Sequence, residues 1–133
     1  MSEDVLVDTN VLLDVLNSDS EWGNWSEQRL GQFANRLVIN PIIYTELCDT
    51  AADAEQVDTA VNILGLAFKE MSKEGLFLTA QAFRIYRERG GTKTAPLADF
   101  FIGAHAQALK IPILTRDTER YRSYFPSVPL ICP

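Results

Sequence analysis

The sequence predicts an α/β fold in which helices pack on a parallel or mostly parallel sheet. Short apolar runs with strand character alternate along the chain with longer segments whose apolar residues recur at helical spacing. The chain has 133 residues, which is about the size of one domain, and no repeat, linker or low-complexity stretch divides it. We therefore expect a single domain over residues 1–133.

The first predicted elements are a strand, two helical segments and a second strand. Residues 4–7 form an apolar run that ends at Asp8. Asn10 can cap the helix that follows, in which four apolar residues recur at helical spacing. A second helical stretch covers residues 21–35 and precedes a buried strand over residues 37–39.

The next predicted elements are two helices and a short strand. Asn40 followed by Pro41 is a cap followed by a first-turn proline, which opens a helix to about residue 52. Another amphipathic pattern predicts a helix over residues 54–67, and residues 68–71 form a short strand.

The remaining elements are separated by the clearest loop in the chain. Residues 78–89 are predicted helical, and they end at the G-G-T-K-T segment over residues 90–94. A proline near the start leads into a helix over residues 97–109. The last two strands are predicted at residues 113–115 and 129–131.

Composition narrows the class of protein. A hydrophobic content of 47% and a charged content of 23% are typical of a globular domain. No apolar run approaches the ~18 residues of a membrane span, and the first residues, M-S-E-D, are acidic where a secretory signal would be basic. There are only two cysteines and no CxxC pair. We therefore expect no membrane association and a cytoplasmic location.

The net charge of −6 argues against a protein that wraps nucleic acid through bulk electrostatics. This charge does not exclude a nucleic-acid partner, because carboxylates that bind cations are counted as negative although the bound cation neutralises them. The positive residues form two clusters, which are either solvated helix faces or a phosphate track: Arg84, Arg87, Arg89 and Lys93; Arg116, Arg120 and Arg122.

Four carboxylates interrupt or end apolar runs, where an ionised group is costly unless it is paired or bound to a metal. No Lys or Arg lies in the first three of these runs. The four are Asp8 in V-L-V-D, Glu46 in P-I-I-Y-T-E-L, Asp99 in P-L-A-D-F-F-I-G-A and Asp117 in I-P-I-L-T-R-D.

Sheet topology gives these acids a reason to meet. In open α/β sheets, sites form outside the carboxyl ends of the strands, and both Asp8 and Asp117 follow predicted strands. Glu46 and Asp99 lie about a turn inside helices that could aim their first turns at the same edge, where the helix dipole favours negative charge. Taken singly, Asp8 could be a turn residue, Asp117 a helix cap and Glu46 a surface residue.

An all-carboxylate site favours hard cations such as Mg²⁺ or Mn²⁺. Zinc is disfavoured, because His105 is the only histidine and Cys48 and Cys132 are far apart in sequence. His105 lies in the middle of a predicted helix, which also argues against a Ser-His-Asp arrangement, and Cys48 has no basic neighbour. Cations held by carboxylates clamp a phosphodiester and activate a water, so phosphodiester hydrolysis is the natural chemistry.

Four segments together resemble the PIN domain, and more closely its VapC-type toxins. They are D-V-L-V-D-T-N-V-L-L-D-V-L, N-P-I-I-Y-T-E-L, G-G-T-K-T-A-P-L-A-D-F-F-I-G-A-H-A and I-L-T-R-D-T-E-R-Y-R-S-Y-F-P-S-V-P-L-I-C-P. They span nearly the whole chain in order. The resemblance implies a three-layer α/β/α fold with a short, mostly parallel central sheet. Ala98 stands where this subgroup often has proline, and residues 51–77 do not align.

The resemblance implies an endoribonuclease that uses Mg²⁺ or Mn²⁺, with the four acids as catalytic and metal-binding residues. Asp8 and Asp99 would be direct ligands, and Glu46 and Asp117 would complete the coordination or position the attacking water. The residues beside the acids that would orient them are Thr9, Asn10 and Thr115. The residues expected to contact RNA phosphates are Lys93 and Arg116. A small antitoxin protein and a homodimer are the implied partners.

Two other interpretations remain open. A PIN-type nuclease could serve RNA processing without any antitoxin. Alternatively, an acidic α/β module could bind Mg²⁺ without catalysis, as a phospho-receiver-like domain does. That module needs a lysine after a later strand, and this chain has Arg116 after I-L-T.

Overall fold

A computed structural model of the chain describes residues 3–133. Met1 and Ser2, which begin the predicted domain and the acidic N-terminal segment, lie outside the described residues. Within residues 3–133 there are five strands: β1 (Val5–Val7), β2 (Leu37–Ile39), β3 (Ala67–Phe68), β4 (Ile113–Leu114) and β5 (Leu130–Ile131). The same part of the chain forms seven helices: α1 (Thr9–Leu16), α2 (Gly23–Gln32), α3 (Pro41–Asp49), α4 (Ala54–Leu64), α5 (Lys73–Glu88), α6 (Ala98–Leu109) and α7 (Glu119–Tyr124).

The five strands form one sheet in the order β3-β2-β1-β4-β5, and all neighbours are parallel. The chain passes outward from β1 through β2 to β3, then returns to the other side of β1 with β4. The strand order therefore reverses between β1 and β4, where Leu6 is in register with Ile113. Ligand sites of open α/β sheets form at such a reversal, outside the carboxyl ends of the strands. The predicted α/β fold, with three layers around a parallel sheet, is confirmed.

The central strands are buried on both faces. Every residue of β1 and β4 is fully buried, which explains why these segments read as continuous apolar runs and not as alternating ones. Burying one such side chain stabilises the fold by roughly 1.5–3 kcal/mol. The strand ends that lead into the acids are therefore fixed by packing.

Two side-chain caps place the helices that follow β1 and β2. Asp8, and not the predicted Asn10, is the cap of α1, because its Oδ1 accepts the Thr9 N–H at 2.8 Å and the helix begins at Thr9. Asn40 caps α3 as predicted, with its Oδ1 accepting the Ile43 N–H at 2.9 Å.

Several boundaries differ from the predicted ones for local reasons. Helix α2 covers Gly23–Gln32 and is shorter than the predicted residues 21–35. Asn35, which was predicted to lie in this helix, takes a left-handed conformation (φ 71°). Helix α4 ends at Leu64 because Gly65 takes a left-handed conformation (φ 66°), so the edge strand β3 starts at Ala67.

The second half contains the larger departures. Helix α5 begins at Lys73, five residues before the predicted start, because the Ser72 hydroxyl accepts the Gly75 N–H at 3.1 Å and caps it. Helix α7 was not predicted, since its six residues are too few to show a helical period. No helix among residues 3–133 is both long and apolar enough to cross a membrane.

Candidate active site

A cavity of about 700 Å³ opens at the carboxyl edge of the sheet, where the strand order reverses. All four acids singled out by the sequence line it: Asp8, Glu46, Asp99 and Asp117. Thr9 and Asn10 line it too, together with Asp49, a further acid one turn after Glu46. The structure therefore brings together carboxylates that are up to 109 residues apart in sequence. The catalytic and metal-binding roles of these residues stay predictions.

Asp8 is the most buried of the four acids, with 6% of its surface exposed. Its Oδ2 accepts hydrogen bonds from the Thr115 hydroxyl at 2.9 Å and the Tyr121 hydroxyl at 2.8 Å, with the Asn10 amide at 3.4 Å. Burial raises the pKa of Asp8 above its usual value, although these bonds and the Thr9 N–H favour the ionised form. Oδ1 accepts only the Thr9 N–H, so it keeps a lone pair that faces no donor within residues 3–133.

Thr9 connects the first two acids. Its backbone N–H binds Asp8 and its hydroxyl donates to Glu46 Oε1 at 2.6 Å. Thr9 is itself buried, at 6% exposure. One residue thereby fixes the end of β1 relative to the second turn of α3.

Asn10 and Thr115 connect the first acid to the fourth. The Asn10 amide lies 3.3 Å from the Thr115 hydroxyl, which also accepts the Asp117 N–H at 3.0 Å. The Asn10 side-chain oxygen accepts the Arg116 N–H at 3.4 Å. These contacts hold the loop after β4 against the start of α1.

Asp99 is the second residue of α6 and is half-buried. Burial raises the pKa of Asp99, and the negative charges of Asp8 and Asp117 raise it further, whereas Arg120 lowers it. Arg120 Nε lies 3.4 Å from Asp99 Oδ2. Within residues 3–133, no other Lys or Arg lies within ion-pair distance of the four acids. The acids are therefore close enough to repel each other and are only weakly neutralised by the protein.

The two residues expected to contact RNA phosphates have different surroundings. Lys93 is exposed in the loop before α6, and its backbone N–H donates to the Tyr86 hydroxyl at 3.3 Å. Arg116 donates from Nε and Nη2 to Asp14, at 2.7 and 2.8 Å. A phosphate contact by Arg116 stays a prediction, and it would have to use other N–H groups of the guanidinium.

Sequence reasoning missed Tyr121, which is almost fully buried and donates to Asp8. Burial and then the charges of Asp8 and Asp99 raise the pKa of Tyr121 well above its usual value, so the phenol stays protonated and remains a donor. Its only signal in the sequence is an aromatic residue in E-R-Y-R-S-Y, four positions after Asp117. The same segment contains Arg120, which the sequence placed in a positive cluster but not beside Asp99.

The donor set of the cavity fits a hard cation. The four acids supply carboxylate oxygens, whereas the His105 ring is buried in α6 and lies 3.1 Å from the Asn40 amide. Among the described residues, no three His, Cys, Asp or Glu side chains are arranged so that they could hold an ion by themselves. Mg²⁺ commonly takes one or two carboxylates and completes its shell with water and substrate phosphate. Burial is the main cause of the raised pKa of Asp8 and of Asp99, and the charges of neighbouring acids raise both further.

The family model of the PIN domain matches residues 5–125 of the chain. The comparison with curated proteins found no match to the chain.

Solved structures with the same fold include toxin–antitoxin complexes. The chain aligns with a chain of VapBC2 from Rickettsia felis, bound to a DNA fragment from their promoter, with a TM-score of 0.74 at 18% identity, covering 97% of this chain and 98% of that one. A toxin–antitoxin complex from Klebsiella pneumoniae aligns with a TM-score of 0.73 at 21% identity, covering 98% of both chains. FitAcB from Neisseria gonorrhoeae aligns with a TM-score of 0.69 at 18% identity, covering 96% of both. At these identities the likeness shows the fold alone.

Proposed function

The chain belongs to the PIN domain family, and from this premise we propose that it is a metal-dependent endoribonuclease and the toxin of a toxin–antitoxin pair. The observation that carries the proposal is the convergence of Asp8, Glu46, Asp99 and Asp117 on one cavity at the strand-order reversal. Four carboxylates with only one loose cationic contact among residues 3–133 are an arrangement for binding cations and not for a self-sufficient ion-pair network. The reaction is hydrolysis of an RNA phosphodiester bond.

Asp8 and Asp99 are the residues we assign to direct cation binding, with Mg²⁺ or Mn²⁺ as the ion. A bound divalent cation lowers the pKa of a water and neutralises charge on the phosphate in the transition state. Glu46 and Asp117 complete the coordination, partly through water, or orient the attacking water. Deprotonated carboxylates are required for this, so the raised pKa values of Asp8 and Asp99 set a lower pH limit on activity.

The neighbouring residues keep the carboxylates in position. Thr9 fixes Glu46, and Thr115 and Tyr121 fix Oδ2 of Asp8. Because these donors are buried, their hydrogen bonds do not compete with water, and Asp8 cannot turn away from the cavity. The positions of Asp8 and Glu46 are therefore set before any substrate arrives.

A protein antitoxin is the partner we propose. Solved structures with this fold include complexes named as toxin–antitoxin pairs, some of them bound to DNA. The net charge of −6 suits a partner segment with basic side chains. A homodimer and a cytoplasmic site of action complete the proposal, and two free cysteines are compatible with a reducing compartment.

The direct test is cleavage of single-stranded RNA by the purified chain. We expect cleavage with Mg²⁺ or Mn²⁺, none with EDTA, and a large loss in Asp99→Asn. Asp58→Asn is the matched control, because Asp58 is exposed on α4 and binds only the Tyr44 hydroxyl within the described chain. Unchanged cleavage by Asp99→Asn with normal metal dependence would sink the assignment.

The toxin role needs a separate test in a bacterial host. Expression should arrest growth, Asp8→Ala should relieve the arrest, and the ends of the cleaved RNA should identify the substrate. Co-expression of a small protein encoded next to this chain should restore growth and co-purify with it. Cleavage without growth arrest, and without such a neighbour, would favour a nuclease of RNA processing.

A further inference from the structure

A second cleft lies beside the acidic cavity and shares two of its walls. This side cleft of about 260 Å³ is lined by Tyr86, Asp99, Asp117, Glu119, Arg120, Ser123 and Tyr124. Asp99 and Asp117 also line the main cavity. An RNA strand that occupies the main cavity can therefore continue directly into the side cleft.

Arg120 is the positively charged residue of the side cleft. Its guanidinium carbon lies 5.5 Å from the centroid of the Tyr86 ring and 5.3 Å from that of Phe100. These rings hold the guanidinium by cation–π contact, which uses none of its N–H donors. One third of the side chain remains exposed.

The hydrogen-bonding capacity of Arg120 is largely unused. Its one ion-pair contact within residues 3–133, Nε to Asp99 at 3.4 Å, is longer than the ~2.7–2.9 Å of a charge-assisted hydrogen bond. Its Nη1 is buried and has no hydrogen-bond partner in the described part of the chain. Arg116, four residues earlier, makes two short bonds to Asp14 and is engaged. Arg120 therefore gains hydrogen bonds when an anionic oxygen enters the cleft and its guanidinium turns toward it.

We propose that Arg120 binds the RNA phosphate next to the cleaved bond. This inference rests on the proposed function. A guanidinium matches two phosphate oxygens at once, whereas the neighbouring acids Asp99, Asp117 and Glu119 repel an RNA chain. Arg120 offsets this repulsion on one side of the cavity and so fixes the side on which the strand continues.

The test is RNA binding by variants that all carry Glu46→Gln to keep the RNA intact, with intactness checked on a gel. Arg120→Met removes the charge but keeps a long side chain against the rings, and Arg120→Lys keeps the charge without the planar fork. Arg122→Met is the matched control on the same helix, since Arg122 lines a different pocket. The probe is a fluorescein-labelled single-stranded RNA in Mg²⁺, measured by anisotropy at several salt concentrations.

We expect Arg120→Met to bind roughly tenfold to a hundredfold more weakly than its parent. The slope of log affinity against log salt should fall by about 0.7, the value for one phosphate contact on a single strand. Arg120→Lys should keep the slope and lose affinity, and Arg122→Met should change neither. A purely structural role would lower the melting temperature and leave the slope unchanged.

Equal affinity and equal slope in Arg120→Met and Arg122→Met would overturn this inference while the wild-type chain still cleaved RNA. A wild-type chain that cleaved no RNA with Mg²⁺ or Mn²⁺ would overturn the proposed function and this inference with it.

Discussion

The Arg116 guanidinium binds the Asp14 carboxylate through two parallel hydrogen bonds, from Nε to Oδ2 at 2.7 Å and from Nη2 to Oδ1 at 2.8 Å. Asp14 is only 3% exposed and also accepts the Ser26 hydroxyl at 2.7 Å. The pair joins α1 and α2 to the residue between Thr115 and Asp117. It therefore connects a buried structural carboxylate to the loop that carries the fourth acid of the cavity.

Asp14→Asn should lower the free energy of unfolding by about 2 kcal/mol, because hydrogen bonds to charged partners are each worth roughly 1.5–3 kcal/mol. Urea unfolding at neutral pH measures this change. Glu27→Gln, an exposed acid on α2, is the control and should leave stability unchanged. A loss of RNA cleavage larger than the loss of folded protein would show that the loop carrying Asp117 has moved.

The effect of Asp14 should depend on pH. Burial alone would raise the pKa of Asp14, but bonds from Arg116 and Ser26 and the Arg116 charge outweigh it, so the pKa lies below its usual 3.8. A carboxyl with a lowered pKa in the folded state adds to stability at pH values above its unfolded-state pKa. That stability is lost as the pH falls through its folded-state pKa. The stability difference between wild type and Asp14→Asn should thus shrink below about pH 4. A difference that grows with acid would contradict the ion pair.

Asp8→Asn should stabilise the metal-free protein at neutral pH. The pKa of Asp8 is higher in the folded protein than its ordinary value of 3.8. Asp8 therefore adds to stability below pH 3.8, and this contribution is lost as the pH rises through the pKa of the folded state. Asparagine is an equally good helix cap, and the hydroxyls of Thr115 and Tyr121 can rotate to suit an amide. We expect a melting temperature higher by about 3–5 °C, the shift for ~1 kcal/mol in a domain of this size. The gain should vanish in saturating Mg²⁺, which only the wild type binds well.

Tyr121→Phe should weaken Mg²⁺ binding roughly threefold to tenfold, because Asp8 loses a buried donor that orients its Oδ2. Titration calorimetry on the metal-free protein measures this affinity. Tyr124→Phe on the same helix is the control, since Tyr124 packs on Phe100 and is not one of the hydrogen-bond donors to Asp8 within residues 3–133. Equal affinities in the two variants would remove Tyr121 from the site.

Gly103→Ala should destabilise the fold by about 1–3 kcal/mol, since a methyl group there would overlap the buried ring of Phe125. Thermal unfolding measures the loss. Gly31→Ala in α2 has no atom within 4 Å of the added carbon and should be neutral or stabilising. Adding Phe125→Leu to Gly103→Ala should recover part of the loss if the overlap is its cause.

The sequence was most informative where burial and topology act alone. The runs ending at Asp8 and Thr115 are buried on both faces, so their continuous apolar sequence predicts strands. Because the two strands are parallel, the residues that follow them lie at the same edge of the sheet. Asn40 and Pro41 marked the start of α3 by local chemistry. The sequence therefore predicts that Asp8, Glu46, Asp99 and Asp117 lie together at this edge.

What escaped prediction depends on contacts between distant residues. Nothing in E-R-Y-R-S-Y indicates that the Tyr121 hydroxyl reaches Asp8, 113 residues away. Nothing in the sequence indicates that Asp14 pairs with Arg116, which is 102 residues distant. A short helix such as α7 has no period to read, so its inward face could not be assigned.

The same long separations have a consequence for synthesis on the ribosome. Asp8 is made early, but its hydroxyl donors Thr115 and Tyr121 follow 107 and 113 residues later, and β4 must be inserted beside β1 to deliver them. A nascent chain that still lacks β4 and α7 cannot order its first carboxylate. Under the proposed function, polypeptides from translation interrupted before Tyr121 would be inert, because Asp8 would lack its two hydroxyl donors.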